Sequence, residues 1–108
     1  MSKRIATPTQ KLYAGDTDRI VSVDCRGLLD DGETVSAVSI ENSGGLTADQ
    51  AQVLTSEQTI EGETVGANLA VAFRVDRGSA AAGRYEIDLL ITSSSGQVIP
   101  GSVAIRCV

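Results

Sequence analysis

The stretch LAVAFRVDRGSAAAGRYEIDLLITSSSGQV, residues 69–98, decides the fold. Leu69, Val71, Phe73 and Val75 alternate with Ala70, Ala72, Arg74 and Asp76, and after a glycine-broken turn Tyr85, Ile87, Leu89 and Ile91 alternate with Glu86, Asp88, Leu90 and Thr92. A period of two places each apolar set on the buried face of a β-strand and the alternating set on its wet face. The Ser93-Ser-Ser-Gly96 run that follows predicts a short polar hairpin loop.

Outward from this centre the pattern continues. Val103, Ile105 and Cys107 form the inward set of a last strand, with Ser102, Ala104 and Arg106 outside, and Val21, Val23 and Cys25 form an early one. Pro100 near the start of the last strand sits where a missing N–H is tolerated. In Thr34 to Ile40 the apolar positions change parity between Val35-Ala37 and Val38-Ile40, which predicts a bulge or a strand covered on both sides. Gln52 to Ile60 reads as one irregular strand or two short ones. Thr47 with Gln50 three residues on has capping-box spacing, so a single helical turn competes with strand there. Glycine in Asp30-Asp31-Gly32-Glu33 and Glu61-Gly62-Glu63 marks strand reversals. Six to eight short strands at this spacing predict an all-β immunoglobulin-like sandwich of about seven antiparallel strands. Residues 1–18, with Pro8 and little alternation up to Tyr13, read as an extended N-terminal arm on a sandwich spanning 19–108.

Composition narrows the function. The chain has 108 residues, nine basic and fourteen acidic side chains, a net charge of −5 and three aromatics. That balance opposes nucleic-acid and anionic-membrane partners, and base-stacking platforms are scarce. Met1 to Arg26 carries five basic side chains against three acidic ones, so a slightly basic leader precedes an acidic body. No apolar run approaches the roughly 20 residues of a membrane span, and no secretory signal pattern precedes the domain. With no histidine and no nucleophile-elbow or phosphate-loop motif, the expectation is no enzyme and no cofactor. Asp16/Asp18, Asp30/Asp31 and Glu61/Glu63 are expected as solvated turn carboxylates, and neither Asp16-Thr-Asp18 nor Asp30-Asp31-Gly-Glu33 matches a Ca²⁺ loop, so no metal is expected. Cys25 and Cys107 are expected as buried thiols; pairing of the strands that carry them would instead bring them within reach of a bridge.

Gly83-Arg84-Tyr85 is similar to the tyrosine corner that opens a late strand of immunoglobulin-like sandwiches, with an inward Tyr85 that only packs as the alternative. Leu28-Leu29, Gly32-Glu33-Thr34, Gly45-Leu46-Thr47, the alternating Leu69 to Val75, Gly83-Arg-Tyr85, Ile91-Thr-Ser-Ser and Val103 to Val108 together resemble the small immunoglobulin-like virion proteins of tailed bacteriophages. The likeness covers about two-thirds of the chain. The group often carries tryptophans in the early strand and around Val38 to Ile40, where this chain has Cys25 and Ser39, and its arm is shorter than the one here. The resemblance implies a virion structural protein without catalysis, most directly a capsid decoration or cement protein bound to the major capsid protein shell. Lys3, Arg4 and Lys11 would then meet acidic patches, Ile5, Leu12 and Tyr13 would anchor, and Phe73 and Tyr85 would hold the fold. A tail or fibre adaptor that assembles as a small ring is the alternative. A surface glycan-binding module is weaker, because Tyr13 is the one aromatic not assigned to a core. Many copies on a symmetric shell, assembled in the host cytoplasm, follow from the leading reading.

Overall fold

A computed structural model describes residues 10–13, 18–60 and 62–108, with residues 10–12 described by backbone alone. Nine strands lie among the described residues: β1 (Gln10–Leu12), β2 (Arg19–Asp24), β3 (Val35–Asn42), β4 (Thr47–Leu54), β5 (Gln58–Ile60), β6 (Glu63–Val65), β7 (Ala70–Asp76), β8 (Gly83–Ser93) and β9 (Val98–Cys107). One 3-10 turn, Arg26–Leu28, interrupts them. The strands form a four-stranded sheet in the order β1-β9-β8-β3, a three-stranded sheet β2-β7-β4 and the hairpin β5-β6.

The sheets pack face to face. Val21, Val23, Val71, Phe73 and Val75 from one meet Ile87, Leu89, Ile91, Val103 and Ile105 from the other in a single buried cluster. A sheet whose alternate residues are apolar must bury that face, and two such sheets satisfy each other. The order is that of an immunoglobulin-like sandwich: β2-β7-β4 takes the place of its B-E-D strands and β3-β8-β9 of C-F-G. All pairings are antiparallel except β1 with β9, which is parallel, with Gln10 opposite Ile105 and Leu12 opposite Cys107. Part of the segment read as an arm is therefore an edge strand.

The parity change in β3 is a bulge: its register with β8 slips between Val35 and Ala37, and again between Ile40 and Asn42. The turn glycines Gly32, Gly62 and Gly96 all have positive φ, as their reversals require. Two open alternatives close and one expectation is corrected. Thr47–Leu54 is strand, not a helical turn, because Thr47, Ala48 and Asp49 pair with Asp76, Val75 and Arg74 of β7. The irregularity that made it look helical is a register break between Asp49 and Gln52, with Gln50 at φ 56°. Ala70 and Ala72, assigned to a wet face, are 1% and 3% exposed. β7 is the central strand, so Ala70 joins Ile60, Val65, Leu54 and Leu69 in a second small core, and Ile20, Gln50 and Gln52 line the surface around Ala72. Cys25 and Cys107 are buried free thiols, as expected, and the conditional bridge falls away because they are not neighbours. Cys25 follows β2 where Asp24 meets Ala70 at the start of β7, whereas Cys107 meets Gly83 beyond the end of β7. A strand of that length spans about 20 Å, far beyond the reach of a disulfide.

Candidate functional site

Two features stand out on the surface, a corner at one end of the sandwich and the outer face of the four-stranded sheet. The corner is built by two turns. Between β3 and β4 the chain crosses from one sheet to the other through Ser43-Gly44-Gly45, with the Gly44 amide donating to Asn42 Oδ1 at 2.7 Å and Leu46 donating to the Ser43 carbonyl at 3.1 Å. Gly44 has φ 65°, and a Cβ there would collide with the main-chain carbonyl of Glu86 on β8. The crossing strand lies directly on the start of β8, and only glycine permits that approach.

Tyr85 stands beside Gly45, its ring at van der Waals distance from where a Gly45 Cβ would be. Its hydroxyl donates to the Ala81 carbonyl at 2.7 Å, four residues upstream, and its ring packs on the main core. That is a tyrosine corner, and the packing alternative is satisfied by the same side chain. Gly45-Leu46-Thr47 and Gly83-Arg-Tyr85, separate motifs in the sequence, thus meet at one place. Next to them a cleft of about 320 Å³ is lined by Gly45–Thr47 and by residues 76–80. Arg77, almost wholly buried, directs Nε to the Ala80 carbonyl at 3.1 Å and Nη1 to the Val108 main-chain oxygen. Its guanidinium ties the end of β9 to the β7–β8 turn, so the cleft wall is internally bonded structure.

The outer face of the four-stranded sheet is banded by charge. Two rows, Ala37–Thr92–Val98 and Ser39–Leu90–Pro100, run across β3, β8 and β9 without a charged residue, and Val98 is 57% exposed. The next rows along β8 and β9 are Asp88–Ser102 and Glu86–Ala104, and the last is Arg84–Arg106, with Lys11 in register beside Arg106. Ser102 donates to Glu86 at 3.4 Å and Arg84 approaches Glu86 at 3.8 Å. A patch of uncharged residues therefore grades into acidic and then basic rows on one surface.

The opposite outer face carries an ion-pair network. Arg74 on β7 binds Asp49 through two 2.7 Å contacts, Asp18 at 2.8 Å and Asp76 at 2.6 Å, and the Asp18 amide donates to Asp76. The paired guanidinium bonds hold the Asp49 carboxyl below its usual range. A similar pair links Arg26 to Asp24 at 2.7 Å and lowers the Asp24 carboxyl, chiefly through the side-chain hydrogen bond. Glu33 is lowered mainly by its bond from Ser95, which locks the Asp30–Glu33 turn to the β8–β9 loop. These carboxylates serve structure, and among the described residues no group of three His, Cys, Asp or Glu is arranged to hold a metal ion. Burial pushes the Cys25 thiol up to about 12, with Asp24 adding to the shift, which makes it a small hydrophobe at neutral pH.

Of the residues assigned to partner binding, Lys3, Arg4 and Ile5 lie outside the described residues. Lys11 and Leu12 fall in β1, opposite Arg106 and Cys107, and Tyr13 is 58% exposed just after it. The outer-face rows went unremarked in the sequence because they are formed by the alternate, polar-seeming residues of three strands far apart in the chain. Only the pairing register assembles them. No protein-family model matches the chain, and a search of curated proteins returned no match.

Proposed function

We propose that the chain is a structural module of a phage virion, a capsid decoration protein that binds the major capsid protein shell through its sandwich surface and N-terminal segment. The observation that carries this reading is the uncharged outer face formed by Ala37, Thr92, Val98, Ser39, Leu90 and Pro100. An uncharged β-surface with an exposed valine suits burial against another folded protein, where charge is depleted from the interface centre. The acidic and basic rows beside it supply the polar rim and fix orientation. The net charge of −5 favours protein over nucleic acid as the partner. The corner where Gly45-Leu46-Thr47 meets Tyr85 supports the resemblance to small immunoglobulin-like virion proteins, since its motifs converge in space. Many copies on a symmetric shell would turn a modest single-site affinity into stable coating.

The test is co-sedimentation with shells assembled from the major capsid protein of the same phage. Leu90→Glu places a charge at the centre of the patch and is expected to weaken binding at least about tenfold while leaving the circular dichroism spectrum intact. Unchanged binding by Leu90→Glu overturns the reading. Binding to tail assemblies instead, with a discrete ring seen by light scattering, moves the protein to the tail adaptor role.

A further inference from the structure

The pairing of β8 with β9 sets two arginines, Arg84 and Arg106, directly opposite each other at one end of the four-stranded sheet. Both are exposed, Arg84 with 70% of its side chain in solvent, and Glu86 approaches Arg84 at 3.8 Å. Like charges directly across a strand pair are unfavourable by themselves, so such a row is stabilised when an anion meets it. Lys11 lies in register beside Arg106, and Tyr13, 58% exposed, follows just after β1. Tyrosine and arginine are the residue types that most often anchor protein contacts. The opposite end of the sandwich presents an acidic turn. Glu33 accepts from the Asp30 amide at 3.0 Å and from the Ser95 hydroxyl, and its own amide donates to the Asp30 carbonyl at 3.0 Å. Those bonds clasp the Asp30–Glu33 turn onto the β8–β9 loop, with Asp30 and Asp31 exposed at its tip.

We propose that Arg84 and Arg106, with Tyr13 beside them, dock the Asp30-Asp31 turn of a second copy of this chain, end to end. The two ends cannot neutralise each other within one molecule. Ser93, where β8 enters the loop clasped by Glu33, lies about 30 Å along the strand from Arg84, whereas charge is screened within about 8 Å at physiological salt. Two carboxylates on adjacent turn residues match two guanidiniums on adjacent strands, and guanidinium–carboxylate pairs are both strong and selective in geometry. Because the Glu33 clasp already orders the turn, docking it costs little chain entropy. The net charge of −5 makes whole molecules repel, but that repulsion is screened over the same distance while the opposed ends are in contact. The contact joins unlike surfaces, so each copy can hold two neighbours in a head-to-tail series. It stands independently of the virion role.

The test uses the isolated full-length protein without shells, so it fails separately from shell binding. Sedimentation velocity at about 0.15 M salt is expected to show concentration-dependent association that weakens about tenfold or more at roughly 0.5 M salt. Arg84→Gln with Arg106→Gln, and separately Asp30→Ser with Asp31→Ser, are each expected to keep the circular dichroism spectrum and to weaken association about tenfold. Charge reversal is the second measurement. Arg84→Glu with Arg106→Glu, and Asp30→Arg with Asp31→Arg, are each expected to be monomeric alone and to associate when mixed in equal amounts. Wild-type protein that stays monomeric at every salt concentration overturns the proposal, as does a mixture of the reversed proteins that fails to associate. Association that survives Arg84→Gln with Arg106→Gln but is lost in Leu90→Glu also overturns it, by assigning the contact between copies to the uncharged face.

Discussion

Tyr85→Phe removes one oxygen and nothing else. The ring keeps its place on the core beside Gly45, while the bond to the Ala81 carbonyl is lost and that carbonyl turns to solvent. The expected cost is about 1 kcal/mol, read from the urea midpoint at unchanged m-value. At this scale the sequence was legible where one residue has one duty. The inward faces of β2, β8 and β9 followed from alternation because each of those sets is covered by the opposite sheet alone. Ala70 and Ala72 were misassigned because a small side chain on a central strand is buried by its neighbours, and those neighbours come from elements distant in the chain.

At the scale of elements, the β3–β4 crossing is the most constrained connection. Gly44→Ala must accommodate both a left-handed backbone and a Cβ driven into the Glu86 carbonyl, and a cost of roughly 3 kcal/mol is expected. Gly32→Ala is the control. Its φ is 80° but no atom lies within 4 Å of the added carbon, so only the conformational strain of about 1 kcal/mol applies. Equal losses from the two substitutions, measured by thermal unfolding, would contradict the packing at Gly44. Parity revealed the bulge in β3, since a bulge leaves a mark on the hydrophobic phase itself. The strand β1 left no such mark: three residues paired on one side need no alternation, and only the partner β9 defines them. β4 was ambiguous for a related reason, because a register break at Asp49 resets the phase in the middle of a short segment.

For the molecule as a whole, acid is the expected route to unfolding. Asp24, Asp49 and Glu33 all have carboxyls depressed in the folded state, by Arg26, Arg74 and Ser95 respectively. A depressed folded-state value means that the unfolded chain binds protons first. The associated stability is therefore fully present above the unfolded carboxylate range of about 4 and is lost as pH falls through the lower folded values. Urea midpoints should be level near neutrality and drop in acid. Arg74→Met should lower the midpoint at neutral pH, where Asp18, Asp49 and Asp76 lose their shared cation, and should make the acid decline shallower. A parallel displacement of the whole curve would show that Arg74 contributes packing alone. This network was invisible in the sequence, for its four residues come from positions 18, 49, 74 and 76 and are joined only by the β2-β7-β4 order.

The parallel pairing of β1 with β9 also bears on how the protein is made. Gln10 and Ile105 are opposite each other although nearly the whole chain separates them. During synthesis the first strand leaves the ribosome long before its partner exists, so the four-stranded sheet can close only after β9 has followed. Until then its interior is open to wrong partners, and closure of so long a loop makes folding slow relative to helical domains. A nascent chain thus lacks the finished outer face of the four-stranded sheet until β9 has been made.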